Sequence, residues 1–157
     1  MPSYWKEESE PNRPKKAKNG PIRPLSDKRA ADGREKAKAY AKVLETRPAL
    51  CEETGMANYD FSHNFPVKHF PWLMSVPENM TLLNRDSHMD WENARLHELP
   101  NTAERTIMWM LHAAQHETDV GRKKPMFGFI NNKLFKCADI CMEEGVEVPE
   151  WVQKLLT

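Results

Sequence analysis

The segments Asp60-Phe-Ser-His63, Pro77-Glu-Asn-Met-Thr-Leu-Leu83 and Ser87-His-Met-Asp-Trp-Glu92 decide how the centre of this chain folds. The first segment ends a predicted strand, and the second is a turn that opens another strand. A polar turn follows, in which Asp86 or Ser87 caps the start of a helix. The predicted order is therefore strand, loop, strand, helix, with a long aromatic loop between the two strands.

Further elements are predicted on both sides of this centre. Residues 1–25 contain five prolines and many charges, which is typical of an extended arm. After Pro100, apolar residues recur at helical spacing. The predicted elements are a helix over 27–45 that is weakened near Gly33, strands over 57–61 and 80–83, and helices from 86 or 87 to about 97, over 102–118, over 124–144 and over 149–156. The apolar stripe predicted for the helix over 124–144 is Phe127, Ile130, Leu134, Phe135, Ala138, Cys141 and Met142.

The composition limits the size and the setting of the fold. A chain of 157 residues with 39% hydrophobic and 29% charged residues fits one modest domain with appendages. No run of 18 apolar residues occurs, and the first residues lack the apolar core of a secretory signal. We therefore expect a protein that has no membrane partner and is located in the cytoplasm.

The charges are unevenly distributed, although the formal net charge is zero. Residues 1–43 hold 12 Lys and Arg against 6 Asp and Glu, while residues 44–157 hold 11 against 17. A basic leader before an acidic body is typical of an arm that contacts phosphates. A leader that is merely solvated is the alternative.

Two pairs of residues stand four apart, a spacing that suits a metal ion on one helix face. Cys137 and Cys141 are interpreted first as buried small apolar side chains, with a shared metal site as the alternative. His112 and His116 lack the carboxylate of a His-Glu-x-x-His motif and are interpreted as part of a polar helix face. Three cysteines are too few for a disulfide framework.

His63, Asn79 and His88 are separated by 15 and eight residues. This order and spacing, within strand, loop, strand and helix, resembles the HNH or ββα-metal endonucleases of the phage type. The resemblance covers residues 47–96, or 40–96 with the leader helix. It implies an α+β, mostly helical fold with a small ββα-metal (His-Me finger) core. It also implies three regions, which are a disordered basic arm at 1–25, an HNH-like domain with a leader helix at 26–100, and a helical C-terminal region at 101–157.

The resemblance assigns a role to each residue of the motif. It implies that His63 is the general base, that Asn79 braces the loop, and that His88 binds a divalent metal ion. The ion is expected to be Mg²⁺, with Mn²⁺ or Ni²⁺ as alternatives. Glu92 lies one turn beyond His88 and is a second candidate ligand. Asp60 is a third, because it shares a strand face with Ser62, which occupies a position where relatives carry a ligand.

DNA is the expected partner, and the activity that the resemblance implies is hydrolysis of its phosphodiester bonds in the cytoplasm of a bacterial host. Basic side chains of the leader helix, the aromatic loop and the turn before the motif helix are the candidates for phosphate contact. These DNA-binding candidates are Lys36, Lys38, Lys42, Lys68 and Arg85.

The chain departs from the family at the positions where relatives bind a structural zinc. Those positions are Cys51, Thr54, Asn84 and Ser87, so one thiolate remains of four and no structural zinc is expected there. Packing is expected to hold the unit instead, through Phe61, Phe70, Trp72, Leu73 and Trp91. The alternative function is a catalytically inactive HNH-derived module that binds DNA, or that binds a protein partner through the C-terminal helices.

Overall fold

The computed structural model describes residues 26–157, so the predicted arm at 1–25 lies outside the described residues. The chain divides at Gly33, and Arg34–Thr157 is one compact unit, to which all the tertiary contacts below belong. The described residues form a mostly helical α+β protein with one two-stranded antiparallel sheet. The elements are α1 (Asp27–Thr46), β1 (Asp60–His63), β2 (Met80–Leu83), α2 (Arg85–Glu92), α3 (Ala103–His116), α4 (Val120–Glu144) and α5 (Glu150–Leu156), with short 3-10 turns at Pro71–Leu73, Pro77–Asn79 and Leu96–Glu98.

Helix α1 runs without a break through Gly33, so the predicted weakening there is wrong. Strong helix formers on both sides outweigh the roughly 1 kcal/mol that an interior glycine costs relative to alanine. The Ser26 hydroxyl accepts a hydrogen bond from the Arg29 amide at 3.1 Å, as an N-cap does. The helix ends at Thr46, because the residue before Pro48 is disfavoured in helical conformation.

Strands β1 and β2 pair in the register Asp60↔Leu83 to His63↔Met80. β2 coincides with its prediction, whereas β1 begins at Asp60 rather than at residue 57. The reason is that β2 ends at Leu83, the partner of Asp60, so residues 57–59 have no strand residue to pair with. The side chain of Asn84 caps α2 by accepting a hydrogen bond from the Ser87 amide at 2.8 Å.

Helix α2 is shorter than predicted and ends at Glu92 rather than near residue 97. Ala94 has a φ of 61°, a left-handed conformation that ends a helix and that a non-glycine residue rarely adopts. The chain then turns into the 3-10 segment Leu96–Glu98, which brings His97 against α4.

The two core clusters explain how the hairpin is held. Ala39 and Val43 of α1 pack on Met80 and Leu82 of β2, with Phe61 at the edge. The larger cluster runs from Cys51 to Val152 and contains side chains from the interstrand loop, α2 and the C-terminal helices. Of the side chains predicted to hold the unit, Phe70, Leu73 and Trp91 are buried in the larger cluster, Trp72 packs at its edge, and Phe61 packs in the smaller one. The division at residue 100 stays a prediction.

Helix α4 differs most from its prediction. It starts at Val120, where the Asp119 side chain accepts a hydrogen bond from the Gly121 amide at 2.8 Å. Phe135 and Met142, predicted for the apolar stripe, are 56% and 73% exposed, so that part of the stripe is wrong. The buried side chains are Met126, Ile130, Lys133, Leu134, Cys137 and Cys141.

Helix α3 starts after Thr102 as predicted, but the threonine does not cap it with its side chain. The Thr102 hydroxyl instead donates to the carboxylate of Glu53 at 2.8 Å.

Among residues 26–157, no helix combines the length and the apolar character that crossing a lipid bilayer requires.

Candidate active site

Asn79 ties the loop between the two strands to the hairpin. Its side chain is fully buried and accepts a hydrogen bond from the Phe65 amide at 2.8 Å. Its amide nitrogen donates to the carbonyls of Phe65 at 3.0 Å and Leu73 at 3.3 Å. Its own carbonyl accepts from the Asn64 amide at 2.7 Å. Because these bonds fix the residues that follow His63, they also fix the end of β1 that carries the imidazole.

Arg47 braces the other end of the same loop. Its guanidinium donates to the carbonyl of Met80 at 2.6 Å and to that of Pro77 at 3.0 Å. It also pairs with Glu52 at 2.9 Å, and Glu52 accepts from the Leu82 amide at 2.8 Å. The turn that contains Asn79 is therefore held by side chains on both of its sides.

His63 lies at the end of β1 with its ring half-buried beside Tyr40, at 6.3 Å between ring centroids. Its Nε2 atom is buried and has no hydrogen-bond partner among residues 26–157. Burial lowers the pKa of His63 below its ordinary value, and the positive charges of Lys36 and His88 lower it further. A neutral imidazole with a free nitrogen is what a general base requires.

His88 lies between two carboxylates that face opposite nitrogens of its ring. Nδ1 is 3.0 Å from Oδ2 of Asp60, and Nε2 is 3.1 Å from Oε2 of Glu92. A neutral imidazole has only one N–H, so one of these contacts would set a nitrogen lone pair against a carboxylate oxygen. A proton or a metal cation between them removes that repulsion. The three predicted ligands therefore lie together, but the two carboxylates do not share one nitrogen.

Asp60 has a second cationic neighbour. Its Oδ2 atom lies 3.3 Å from Nε of Arg85, whose side chain is otherwise exposed. Ser62, on the same strand face, is buried, and its hydroxyl has no partner among the described side chains. Of these two residues, Asp60 is the one whose oxygen reaches the His88 ring.

A cavity of about 270 Å³ lies next to these groups and is open to the ring of His63. Glu92 lines the same cavity and contacts His88, so it connects the two imidazoles. The other lining residues are Asn64, Pro66, Trp91, Phe129 and Lys133.

Lys133 is the residue of this site that the sequence did not reveal. It projects from α4 and is 7% exposed. Its Nζ atom donates to the carbonyl of Trp91 at 2.6 Å and lies over the rings of Trp91 and Phe129 at 4.4 and 5.3 Å from their centroids. Burial lowers the pKa of Lys133 to about 8, against the opposing effect of the negative charge on Glu92. The one available signal was its spacing, three residues after Ile130 and four before Cys137, which places it on the same helix face.

The four positions compared with zinc ligands in the sequence, Cys51, Thr54, Asn84 and Ser87, are joined by hydrogen bonds. The sulfur of Cys51 accepts from the amides of Thr54 at 3.4 Å and Asn84 at 3.2 Å. The Asn84 side chain donates to the Thr54 hydroxyl at 3.3 Å and accepts from the Ser87 amide. A polar cluster therefore closes the base of the hairpin and α2 at these four positions.

The predicted DNA-binding residues have different relations to the cavity. Lys36 is half-buried and close enough to affect His63, and Arg85 contacts Asp60. Lys42 and Lys68 are exposed, and exposed Lys38 pairs with Glu35 at 3.6 Å. Two of the five basic side chains thus flank the site.

Comparison with known proteins gave no match to a family model, a curated protein or a solved structure. What this chain offers toward a function is the geometry of His63, His88 and the cavity.

Proposed function

We propose that this protein is an HNH-like endonuclease that hydrolyses DNA phosphodiester bonds with one divalent metal ion. One observation carries the proposal. His88 is held between Asp60 and Glu92, while Glu92 shares a cavity with His63, whose Nε2 atom has no partner in the described part of the chain. Metal-assisted phosphodiester hydrolysis requires a cation-binding position and a free base. His88 with its carboxylates offers the first and His63 the second, and Glu92 connects the two through the cavity that it lines.

We also propose that the hairpin and α2 are a ββα-metal core. Three features support this. The chain order is strand, loop, strand, helix, and α2 packs on both strands. Asn79 bonds the interstrand loop as a brace would. The four zinc-equivalent positions lie together at the base of the unit.

The donor set fits a hard divalent ion. Nδ1 of His88 and Oδ2 of Asp60 lie 3.0 Å apart, so these two atoms would hold the ion. Glu92 would then accept the proton on Nε2 and fix the ring, as outer-shell carboxylates do. Because imidazole suits Mn²⁺ and Ni²⁺ better than Mg²⁺, these ions should also serve.

The protein side chains would divide the chemistry as follows. His63 takes a proton from water as the water oxygen bonds to phosphorus, and the bond to the leaving oxygen breaks. His88 and Asp60 would hold the ion, whose positive charge would stabilise the phosphate and the departing oxygen. Lys133, which also lines the cavity, contributes a second positive charge. Lys36 and Arg85 orient the DNA backbone.

Plasmid nicking tests this function. Supercoiled plasmid would be incubated with the full chain and Mg²⁺, Mn²⁺ or Ni²⁺, beside His63→Ala and His88→Ala. His112→Ala is the matched control, because that histidine is exposed on α3. Nicking by the wild type and by His112→Ala, but by neither of the other variants, is the expected result. Equal nicking by all four proteins would point to a contaminating nuclease.

The second candidate is an inactive HNH-derived module that binds DNA. It is favoured by Ser62, a buried hydroxyl where relatives carry an ion ligand. Retention of DNA that weakens with salt, together with no nicking by any of the three ions, would support this module. A protein that neither cuts nor retains DNA would favour a protein partner at the C-terminal helices, where Met108, Phe135 and Met142 are exposed.

A further inference from the structure

Three side chains that bind soft metals meet away from the proposed active site. His97 comes from the 3-10 turn after α2, and Cys137 and Cys141 lie one turn apart on α4. One ligand atom from each lies within 4.8 Å of the other two, and both cysteines are free thiols with no exposed surface. Among residues 26–157, these three side chains form the one group whose ligand atoms are mutually close enough to surround a single ion.

The separations are close to those that zinc imposes. With Zn–S about 2.3 Å and Zn–N about 2.0 Å, tetrahedral geometry puts sulfur about 3.5 Å from nitrogen. Sγ of Cys137 lies 4.0 Å from Nδ1 of His97. A shift of about 0.5 Å, which a χ rotation supplies, is therefore enough to place both atoms on one ion.

The second ring nitrogen of His97, Nε2, has surroundings that favour metal binding at Nδ1. Nε2 of His97 is buried without a hydrogen bond from the described residues, and carboxylate oxygens of Glu144 and Glu98 lie 3.7 and 3.9 Å from it. Glu144 is itself held by two bonds from Arg95, at 2.7 and 3.0 Å. A proton on Nε2 would point at this fixed carboxylate and leave the Nδ1 lone pair facing the thiols. Metal-bound histidines have this outer-shell arrangement.

We propose that His97, Cys137 and Cys141 bind a thiophilic cation, zinc in the cell, with water in the fourth position. Two thiolates and an imidazole select such an ion over Mg²⁺. The ion would join the turn that follows α2 to α4, one helical turn from Lys133. The site is separate from the proposed nuclease site, so either can exist without the other.

Cobalt binding tests the proposal on the full-length, reduced protein after metal removal with a chelator. Co²⁺ in a tetrahedral site with two thiolates gives strong near-ultraviolet charge-transfer bands and visible d–d bands. We expect one equivalent to bind and Zn²⁺ to displace it. We expect Cys137→Ser and Cys141→Ser to lose the near-ultraviolet bands and Cys51→Ser to keep them. Glu144→Gln should weaken zinc binding roughly 10–100-fold, the usual effect of losing an outer-shell partner.

Thiol protection gives a readout that needs no variant. With one equivalent of Zn²⁺, an alkylating reagent should modify Cys137 and Cys141 more slowly, with Cys51 unchanged, as peptide mass spectrometry would show. This measurement on the wild type therefore tests the proposal even if a serine variant fails to fold. The proposal is overturned if the wild type shows no charge-transfer bands and zinc protects neither cysteine of α4.

Discussion

Oδ2 of Asp60 lies 3.0 Å from Nδ1 of His88, so the first strand and α2 meet at a carboxylate and an imidazole. Glu92 lies 3.1 Å from the other ring nitrogen. The two carboxylates face opposite ring nitrogens, so an ion on Nδ1 would make Asp60 the direct ligand and Glu92 the residue that orients the ring. The two roles have different consequences when each carboxylate is neutralised.

Asp60→Asn should weaken ion binding more than Glu92→Gln. The first change removes a charged oxygen from the proposed ion, whereas the second removes an outer-shell acceptor, which costs roughly 10–100-fold in affinity. The measurement is the Mg²⁺ concentration at half-maximal nicking for each variant. The reverse order would place the ion between Nε2 and Glu92.

The pH dependence of cleavage should report on His63. Because burial and two neighbouring cations lower its pKa below the ordinary 6.5, the neutral base should already predominate near pH 6.5. The rate of nicking should therefore rise with pH along a limb with its midpoint below 6.5. A midpoint above 6.5 would contradict this assignment of the base.

The same lowered pKa has a consequence for stability. Between the folded pKa and 6.5 the unfolded chain binds more protons at this residue, so the free energy of unfolding should fall as pH decreases through that window. His63→Asn should reduce this loss. Urea unfolding of both proteins at pH 7.5 and pH 5 measures the difference.

Lys133→Met should reduce cleavage while leaving the fold intact. An apolar side chain of similar length fills the same space, and the lost bond to the Trp91 carbonyl should cost about 1–3 kcal/mol in unfolding free energy. Loss of a charge that faces the reacting phosphate should lower kcat roughly 100-fold. Since burial lowers the pKa of Lys133 to about 8, wild-type activity should also decline above pH 8. If the residual activity of Lys133→Met also declines above pH 8, another group causes the decline.

The local parts of this fold could be predicted from sequence, and the tertiary parts could not. β2 was predicted at its observed bounds because it is a short apolar run with a turn on each side. The start of β1 depends on the length of its partner, which no local pattern contains. His63, Asn79 and His88 were proposed as site residues from their spacing along the chain. Lys133 and His97 gain their neighbours only when α4 packs against the hairpin region and the turn that follows α2. A helical periodicity shows that a lysine is buried but not what it faces.

Asn79→Ala should lower the free energy of unfolding substantially, because this one side chain bonds three buried backbone groups. The change leaves the amide of Phe65 and the carbonyls of Phe65 and Leu73 without their side-chain partner in a buried loop. Each unsatisfied buried group costs about 1–3 kcal/mol, so a loss of about 3 kcal/mol or more in unfolding free energy is expected. Asn79→Asp is the matched comparison, because it keeps the acceptor for Phe65 but replaces the donor with an oxygen that faces the carbonyls of Phe65 and Leu73. Urea unfolding should rank wild type above both variants, and Asn79→Asp should lose further stability as its buried carboxyl ionises with rising pH. If Asn79→Ala is as stable as the wild type but does not cut plasmid, the side chain acts on the chemistry rather than on the loop.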